Sequence, residues 1–119
     1  MIAVIFETRP APGQRDAYLE AAVALRPLLD AIDGFISIER FQSLADPDRV
    51  LSLSIWRDEV AVQAWRNLDA HRRTQAAGRA WILADYRLRV AEVVRDYGMS
   101  DRAQAPVDSR AVHDVPLGA

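Results

Sequence analysis

Two residues in the second half of the chain have side chains that suit a catalytic pocket. Trp65 offers a flat apolar wall with one N–H donor, and His71, six residues later, can take up or release a proton near neutral pH. The helical pattern breaks between them, near residues 67–69, and such a break beside a sheet is a common place for the mouth of a pocket. We therefore predict that Trp65 and His71 carry the chemistry. The alternative is that Trp65 packs in the core and His71 caps a helix.

A second group of candidates lies on the predicted strands. Arg40 belongs to the second strand, and several arginines belong to the fourth. If they point into one cavity, their guanidinium groups could stabilise an anionic oxygen of a substrate. The alternative is that they form salt bridges at the rim with Glu39, Glu92 or Asp96. Three aromatic residues complete the predicted substrate-binding set: Phe6, Trp81 and Tyr86. For Trp81 the alternative is a packing role.

The composition excludes several other kinds of site. The 119 residues include no cysteine, which rules out disulfides, thiolate metal sites and cysteine nucleophiles. The two histidines, His71 and His113, form no spacing typical of metal ligands, and we predict no metal site. A formal net charge of −2 provides no basic field for phosphates, so we expect no nucleic-acid partner.

The elements that must position these residues follow the order βαββαβ. Asp58 is the predicted N-cap of the second helix, and Pro27 is expected to kink or break the first. This order is typical of the ferredoxin-like sandwich, an α+β fold in which an antiparallel sheet carries helices on one face. The predicted strands cover residues 2–8, 35–44, 50–56 and 86–96, and the predicted helices cover residues 13–32, 59–66 and 70–83.

The predicted strands are apolar on both faces. In the third strand, Leu51, Leu53 and Ile55 share one face, while Val50 and Trp56 share the other. Two helices can cover only one face, and the other would leave apolar area in water at about 25 cal/mol per Å². We therefore predict a homodimer in which a second sheet covers this face. The alternative is a mixed face that is merely partly apolar.

The ends of the chain and its location lead to simpler expectations. We predict one domain over residues 1–98 and a tail over residues 99–119 that is loose or docked on the partner subunit. The first residues resemble a strand and include no basic segment with a cleavage site. No apolar stretch approaches the length of a membrane span, so we expect a cytoplasmic protein without membrane contact.

Several short patterns along the chain carry a resemblance to a known family. They are Gly34-Phe35 entering strand two, Ser54-Ile55-Trp56 ending strand three, Trp65 followed by His71-Arg72, and Tyr86 to Val90 running on to Arg95-Asp96-Tyr97-Gly98. Over about residues 2–98 the chain resembles the antibiotic biosynthesis monooxygenase domain family, whose members include quinone-forming monooxygenases and haem-degrading enzymes. The resemblance implies a ferredoxin-like domain that pairs into a dimeric α/β barrel.

The two branches of this family use different residues around the shared tryptophan. The haem-degrading branch has an asparagine in strand one and a histidine ten residues after the tryptophan, where this chain has Glu7 as the polar strand residue and Gln75. The quinone-forming branch has a tyrosine six residues after the tryptophan and an asparagine one turn before it. Here His71 and Ala61 occupy those two positions.

The resemblance also implies a reaction. It indicates a cofactor-free monooxygenase that uses molecular oxygen on a small aromatic substrate of the phenolic or quinol type. Trp65 would hold the substrate oxygen and His71 would shuttle protons. Two alternatives stay open: a non-catalytic ligand-binding or interaction module on the same scaffold, and a protein that binds or degrades haem.

Overall fold

A four-stranded antiparallel sheet with the strand order β2-β3-β1-β4 forms the base of the structure. The structure is a computed structural model, and it describes residues 1–114. The predicted ferredoxin-like α+β fold is confirmed. The elements are β1 (Ile2–Pro10), α1 (Arg15–Asp30), β2 (Phe35–Gln42), β3 (Val50–Trp56), α2 (Glu59–Arg66), α3 (Asp69–Ala77), a π-helical turn (Gly78–Ile82), β4 (Leu83–Glu92) and α4 (Val107–His113).

The register of the sheet decides which side chains face the helices. Phe6 of β1 lies opposite Ser52 of β3 on one side and Leu88 of β4 on the other. On the other side of β3, Arg40 of β2 lies opposite Ser52. Because opposed residues in an antiparallel sheet project to the same face, these four side chains share one surface, and α1, α2 and α3 pack over it.

The second helix begins where the sequence predicts. The Asp58 carboxylate accepts a hydrogen bond from the Ala61 backbone N–H at 2.9 Å, which confirms Asp58 as the N-cap. This backbone hydrogen bond, together with the Arg57 guanidinium, lowers the pKa of the Asp58 carboxyl. Arg57 also donates to both carboxylate oxygens of Asp33 at 3.2 and 3.1 Å, so it ties the turn before β2 to the start of α2.

Gly34 makes the turn between α1 and β2 pass close to α2. Its φ angle of +92° belongs to the left-handed region that favours glycine. A Cβ atom on Gly34 would lie 2.8 Å from the Cβ atom of Ala61. The Gly34 carbonyl also accepts a hydrogen bond from the Arg57 N–H at 2.7 Å. The turn and the helix can therefore approach this closely only because residue 34 has no side chain.

Two predicted features differ from the structure for reasons that lie outside the local sequence. For Pro27 the prediction is a kink or a break, and the structure has no break there, since α1 continues to Asp30. Pro27 and Val23 both lie on the exposed side of the helix, where water can satisfy the Val23 carbonyl that proline leaves without a donor. Strand β4 covers Leu83–Glu92 instead of the predicted residues 86–96. Its partner β1 covers only Ile2–Pro10, and the antiparallel register pairs Pro10 with Leu83 and Ile2 with Glu92.

The hydrophobic core consists of two separate clusters at opposite ends of the sheet. Trp56 is the largest fully buried side chain, and its indole N–H donates to the Ser54 Oγ at 2.9 Å, so it is a packing residue. The first cluster contains Ile2, Leu29, Trp56, Ala61 and Val62. The second cluster contains Tyr18, Val50 and Ile82. The helix-side surface of the sheet between the two clusters is left without a filled core.

The opposite face of the sheet is apolar on the central strands β1 and β3, and it carries charged side chains on the edge strands and at one end. Glu7 accepts from Arg49 at 3.2 Å and from Arg89 at 3.1 Å, so these charges are paired with one another. No helix of residues 1–114 has its apolar side against this face. Its apolar members are Ala3, Ile5, Phe41, Leu51, Leu53, Ile55 and Ala91.

The segment after β4 forms a small structure of its own. Arg102 donates to the Asp114 carboxylate at 2.9 Å and to the Gly98 carbonyl at 3.1 Å, and its guanidinium lies 5.4 Å from the Tyr97 ring centroid. The predicted tail over residues 99–119 thus contains the helix α4, and its last five residues, 115–119, lie outside the described residues. Within residues 1–114, no helix is long and apolar enough to cross a membrane.

Candidate active site

A cavity of about 490 Å³ lies between the two core clusters, with the sheet as its floor and the helices as its roof. This volume is within the range of pockets that hold small organic ligands, roughly 300–1,000 Å³. The floor includes Val4, Phe6, Ile38, Ser52, Ser54 and Leu88, and the roof includes Tyr18, Leu25, Leu29 and Val62. The cavity is therefore an apolar space with a few polar groups.

The cavity opens along the edge strand β4. Tyr86, Leu88 and Val90 line the cavity, yet they stay 38%, 48% and 43% exposed. The π-helical turn Gly78–Ile82 borders the same side, and such turns occur often at functional sites. A ligand could therefore enter between β4 and the α3 side without unfolding any element.

Trp65 and His71 stack on each other in the roof of this cavity. Their ring centroids are 4.3 Å apart and their planes differ by 21°. Helix α2 ends just after Trp65, and the short connection to α3 brings His71 back over the indole. The His71 Nδ1 lies 3.1 Å from the Trp65 carbonyl oxygen. A carbonyl can only accept, so Nδ1 carries the proton of the neutral ring and Nε2 carries the free lone pair.

The environment of His71 keeps its ring neutral. Burial disfavours the charged imidazolium and lowers the pKa of His71 from 6.5, and the nearby charge of Arg72 acts in the same direction. The hydrogen bond to the Trp65 carbonyl opposes this shift only partly. At pH 7 the imidazole is therefore neutral, and its Nε2 is available as a base.

Two polar atoms of this pair have no protein partner. Neither the Nε2 of His71 nor the indole Nε1 of Trp65 forms a hydrogen bond with another residue of the described chain. Within that part of the chain, every fully buried side-chain nitrogen or oxygen has a partner. Both atoms must therefore be reachable by solvent or a ligand, and both residues line the cavity.

The structure brings most of the other predicted site residues to the same cavity. Phe6 and Tyr86 line it and meet edge to face at 5.6 Å. Arg40 also lines it and forms no ion pair with Glu39, Glu92 or any other carboxylate of residues 1–114. Trp81 lies elsewhere, since it is 54% exposed and is absent from the lining.

Several lining residues were not selected as candidates from the sequence. Gln75 and Arg79 follow the predicted residue His71 at intervals of four and so share one side of a helix with it, a pattern that is usually a solvated polar face. Here that side faces the cavity. The other polar lining residues that the sequence did not indicate are Ser52, Ser54, Arg66, Arg72 and Thr74. Among the residues described, no three His, Asp or Glu side chains are grouped so that they could hold a metal ion.

Comparison with known proteins identifies the family. The family model described as antibiotic biosynthesis monooxygenase matches residues 1–77. The chain belongs to the antibiotic biosynthesis monooxygenase family. The matched part includes β1 to α3 and with them both Trp65 and His71, whereas the mouth strand β4 lies beyond it.

The similarity to one relative covers more of the chain than the family model does. The jasmonate monooxygenase of Pyricularia oryzae is 47% identical over 116 residues, which cover 97% of this chain and 54% of that protein. The chain therefore spans about half the length of this curated relative of the antibiotic biosynthesis monooxygenase family.

Solved structures agree with the fold. The Mycobacterium tuberculosis protein Rv0793 superposes with a TM-score of 0.72 at 18% identity, covering 82% of this chain and 98% of that one. The Pseudomonas aeruginosa protein PA3566 gives a TM-score of 0.67 at 20% identity, covering 78% and 93%. At these identities the likeness establishes the common fold of this antibiotic biosynthesis monooxygenase family member and nothing about its substrate.

Proposed function

We propose that this member of the family is a cofactor-independent monooxygenase that acts on a small phenolic or quinol-type molecule held in the cavity. One observation carries the proposal: a neutral histidine and a tryptophan, each with a free polar atom, face the same apolar cavity. This pair can remove a proton from a weak acid and then stabilise the anion that forms.

The roles of the two residues follow from their free atoms. Nε2 of His71 accepts the acidic proton of the substrate, which is the O–H proton of a phenol or a C–H proton of the reacting CH₂ group of an anthrone, because Nδ1 is already committed to the Trp65 carbonyl. The Trp65 indole N–H donates to the phenolate oxygen. The apolar lining keeps water away from the carbanion character of the ring and so strengthens both interactions.

The electrons for the reaction come from the substrate itself. In an anthrone-type substrate, the two C–H bonds of the reacting CH₂ group supply the four electrons that reduce one O₂. One oxygen atom becomes the new carbonyl oxygen, and the other leaves as water with the two protons. His71 takes the first proton and returns it to the departing oxygen, so the chain needs no external reductant for this step.

The relative from Pyricularia oryzae favours a second substrate. Because that protein is named for jasmonate and is 47% identical, jasmonate is a candidate here as well. Insertion of one oxygen atom into an unactivated C–H bond leaves the second atom to be reduced by two external electrons. An oxygen electrode distinguishes the candidates: anthrones and hydroquinones should consume oxygen unaided, whereas jasmonic acid should require an added two-electron reductant. Product masses identify the inserted oxygen.

The state of the cavity also bears on the alternatives. A cavity filled by Trp65, Trp81 and Tyr86 would favour a binding or structural module, but the space is open and Trp81 lies outside it. A module would bind the same molecules without consuming oxygen. For the haem alternative, the lining residue ten positions after Trp65 is Gln75, an amide and a poor axial ligand. A haem titration is therefore expected to give no change in the Soret band.

Replacing Trp65 by phenylalanine tests the proposed donor. The Trp65→Phe variant keeps an aromatic wall but loses the indole N–H, so kcat/KM for oxygen uptake should fall by about 100-fold. Trp81→Phe is the matched control, since this exposed tryptophan lies outside the cavity, and its kcat/KM should stay within about twofold of wild type. Equal values for both variants would remove Trp65 from the mechanism.

We propose that two copies of the chain pair through the sheet face that carries no helix. The support is the apolar centre of that face on the side away from α1, α2 and α3. Leu53 lies on the central strand β3, so Leu53→Asp should raise the dimer Kd by at least about 30-fold in analytical ultracentrifugation. Val23 lies on α1 and is 73% exposed, so Val23→Asp should leave the dimer Kd unchanged. A monomeric wild type at about 10 μM would contradict this interface.

A further inference from the structure

We propose that Arg72 and Arg79 form a carboxylate-binding subsite at the mouth of the cavity, so that the preferred ligands are amphipathic organic acids. The inference deepens the proposed function by giving the charge of the end of the substrate that does not react. The inference rests on the proposed function only because it places the reacting end of the substrate at Trp65 and His71. Its test measures ligand binding alone.

The charge of the lining is the first argument. The chain as a whole has a formal net charge of −2, with 17 acidic and 15 basic residues. The lining nevertheless contains four arginines and neither Asp nor Glu: Arg40, Arg66, Arg72 and Arg79. The cavity lining is therefore a local concentration of positive charge on an acidic protein, which favours an anionic ligand.

The absence of neutralising partners is the second argument. Within residues 1–114, the ion pairs all use arginines outside the cavity, such as Arg9 with Asp46, Arg57 with Asp33 and Arg89 with Glu7. None of the four lining arginines is within 4.0 Å of a carboxylate oxygen of the described chain. Their charges are thus free to meet a carboxylate from a ligand.

The positions of Arg72 and Arg79 are the third argument. They are seven residues apart, two helical turns along the side of α3 and the π-helical turn that faces the cavity. Arg72 donates one Nη2 hydrogen bond to Asn67 Oδ1. Arg79 donates one Nη1 hydrogen bond to the Tyr86 hydroxyl, and its guanidinium lies 5.8 Å from the Tyr86 ring centroid.

These neutral partners orient the two guanidinium groups without cancelling their charge. Each guanidinium has five N–H donors, and the contacts with Asn67 and Tyr86 use only one on each. The remaining donors suit the paired oxygens of a carboxylate. Because the space behind them is largely apolar, the ligand that fits both parts has a hydrophobic body with one carboxylate at its outer end.

A matched pair of probes tests the subsite without requiring a reaction. In calorimetric titrations, 2-naphthoate should bind wild type at least about tenfold more tightly than 2-naphthamide, which has the same shape without the charge. Arg72→Gln and Arg79→Gln should each weaken naphthoate binding by about tenfold and leave naphthamide binding unchanged. Arg73→Gln is the control, because Arg73 neighbours Arg72 on α3 but does not line the cavity.

Circular dichroism of the variants ensures that a loss reflects the subsite and not unfolding. Equal affinity of wild type for 2-naphthoate and 2-naphthamide would overturn the proposal. So would a loss of naphthoate affinity in Arg73→Gln equal to the loss in Arg72→Gln. Failure of 2-naphthoate to bind with a Kd below about 1 mM would overturn it too. If the acid preference holds while no substrate consumes oxygen, the subsite stands and the monooxygenase proposal fails.

Discussion

The His71→Ala variant is expected to lose the proposed oxygenase activity by about 100- to 10,000-fold, the usual contribution of a well-placed general base. The physical reason is that the His71 ring is neutral at pH 7 and keeps a free lone pair on Nε2. Among the described lining residues it is the one imidazole, and it stacks on the Trp65 indole, whose N–H is a hydrogen-bond donor. His71→Asn separates proton transfer from positioning, because an asparagine amide can still donate to the Trp65 carbonyl but cannot act as a base. Oxygen uptake under pseudo-first-order conditions measures both losses.

The control for this experiment is the second histidine of the chain. His113 lies on α4 and is exposed, and it does not line the cavity. His113→Ala should therefore retain wild-type activity. If His71→Asn is as active as wild type, the ring serves only to hold the α2–α3 connection in place, and the base must be sought elsewhere in the cavity.

The pH dependence of wild type follows from the same residue. Burial lowers the pKa of His71 from 6.5, so kcat/KM should be flat above pH 6.5 and fall only as the pH drops through that lowered value. A depressed pKa in the folded state stabilises the fold above pH 6.5, and this contribution is lost as the pH falls through the folded pKa. Far-UV circular dichroism at each pH separates the loss of base from unfolding, and His71→Asn should lack the acid limb of the profile.

The Gly34→Ala variant is expected to lose about 2–5 kcal/mol of unfolding free energy, since backbone strain and steric overlap act together there. The φ angle of +92° is unfavourable for alanine, and the new Cβ would lie 2.8 Å from the Cβ of Ala61. Equilibrium urea denaturation measures the loss. An Ala61→Gly change in the same background should recover the steric part, which a double-mutant cycle isolates as a coupling energy.

Gly13 supplies the matched control for the backbone effect. Its φ angle is +77°, but a Cβ there would meet no atom within 4 Å. Gly13→Ala should therefore show only the strain of the left-handed region, about 1–2 kcal/mol. If Gly34→Ala costs no more than Gly13→Ala, the close approach of the turn to α2 does not contribute to stability. The comparison matters for the site, because α2 presents Trp65 to the cavity.

The order of the elements could be predicted from local patterns because those patterns are periodic. Alternation along residues 50–56 indicates a strand, and the structure has β3 at Val50–Trp56. Asp58 lies where an N-cap must lie, since its carboxylate can reach the free N–H groups of the next turn. These features depend on neighbours within a few residues, so the sequence alone contains the information.

The boundaries that could not be predicted depend on distant partners. Strand β4 ends at Glu92 because β1, its pairing partner, begins at Ile2, and residues 93–96 have the same alternation without a strand to pair with. Likewise, α1 continues through Pro27 because the exposed side of the helix tolerates a carbonyl without a donor.

For the candidate site, the sequence by itself indicated the residue types, and only the tertiary structure decided their states. Trp65 and His71 could be selected because an indole and an imidazole flank a break in a helical pattern. That Nε2 of His71 is the free nitrogen, that its pKa is lowered, and that Trp81 lies outside the cavity all depend on contacts between separate elements. Arg72 and Arg79 could not be selected from the sequence, because their spacing is the same whether that side of the helix meets water or a cavity. The cavity exists because two core clusters at opposite ends of the sheet do not meet, and packing of this kind has no signature in the order of the residues.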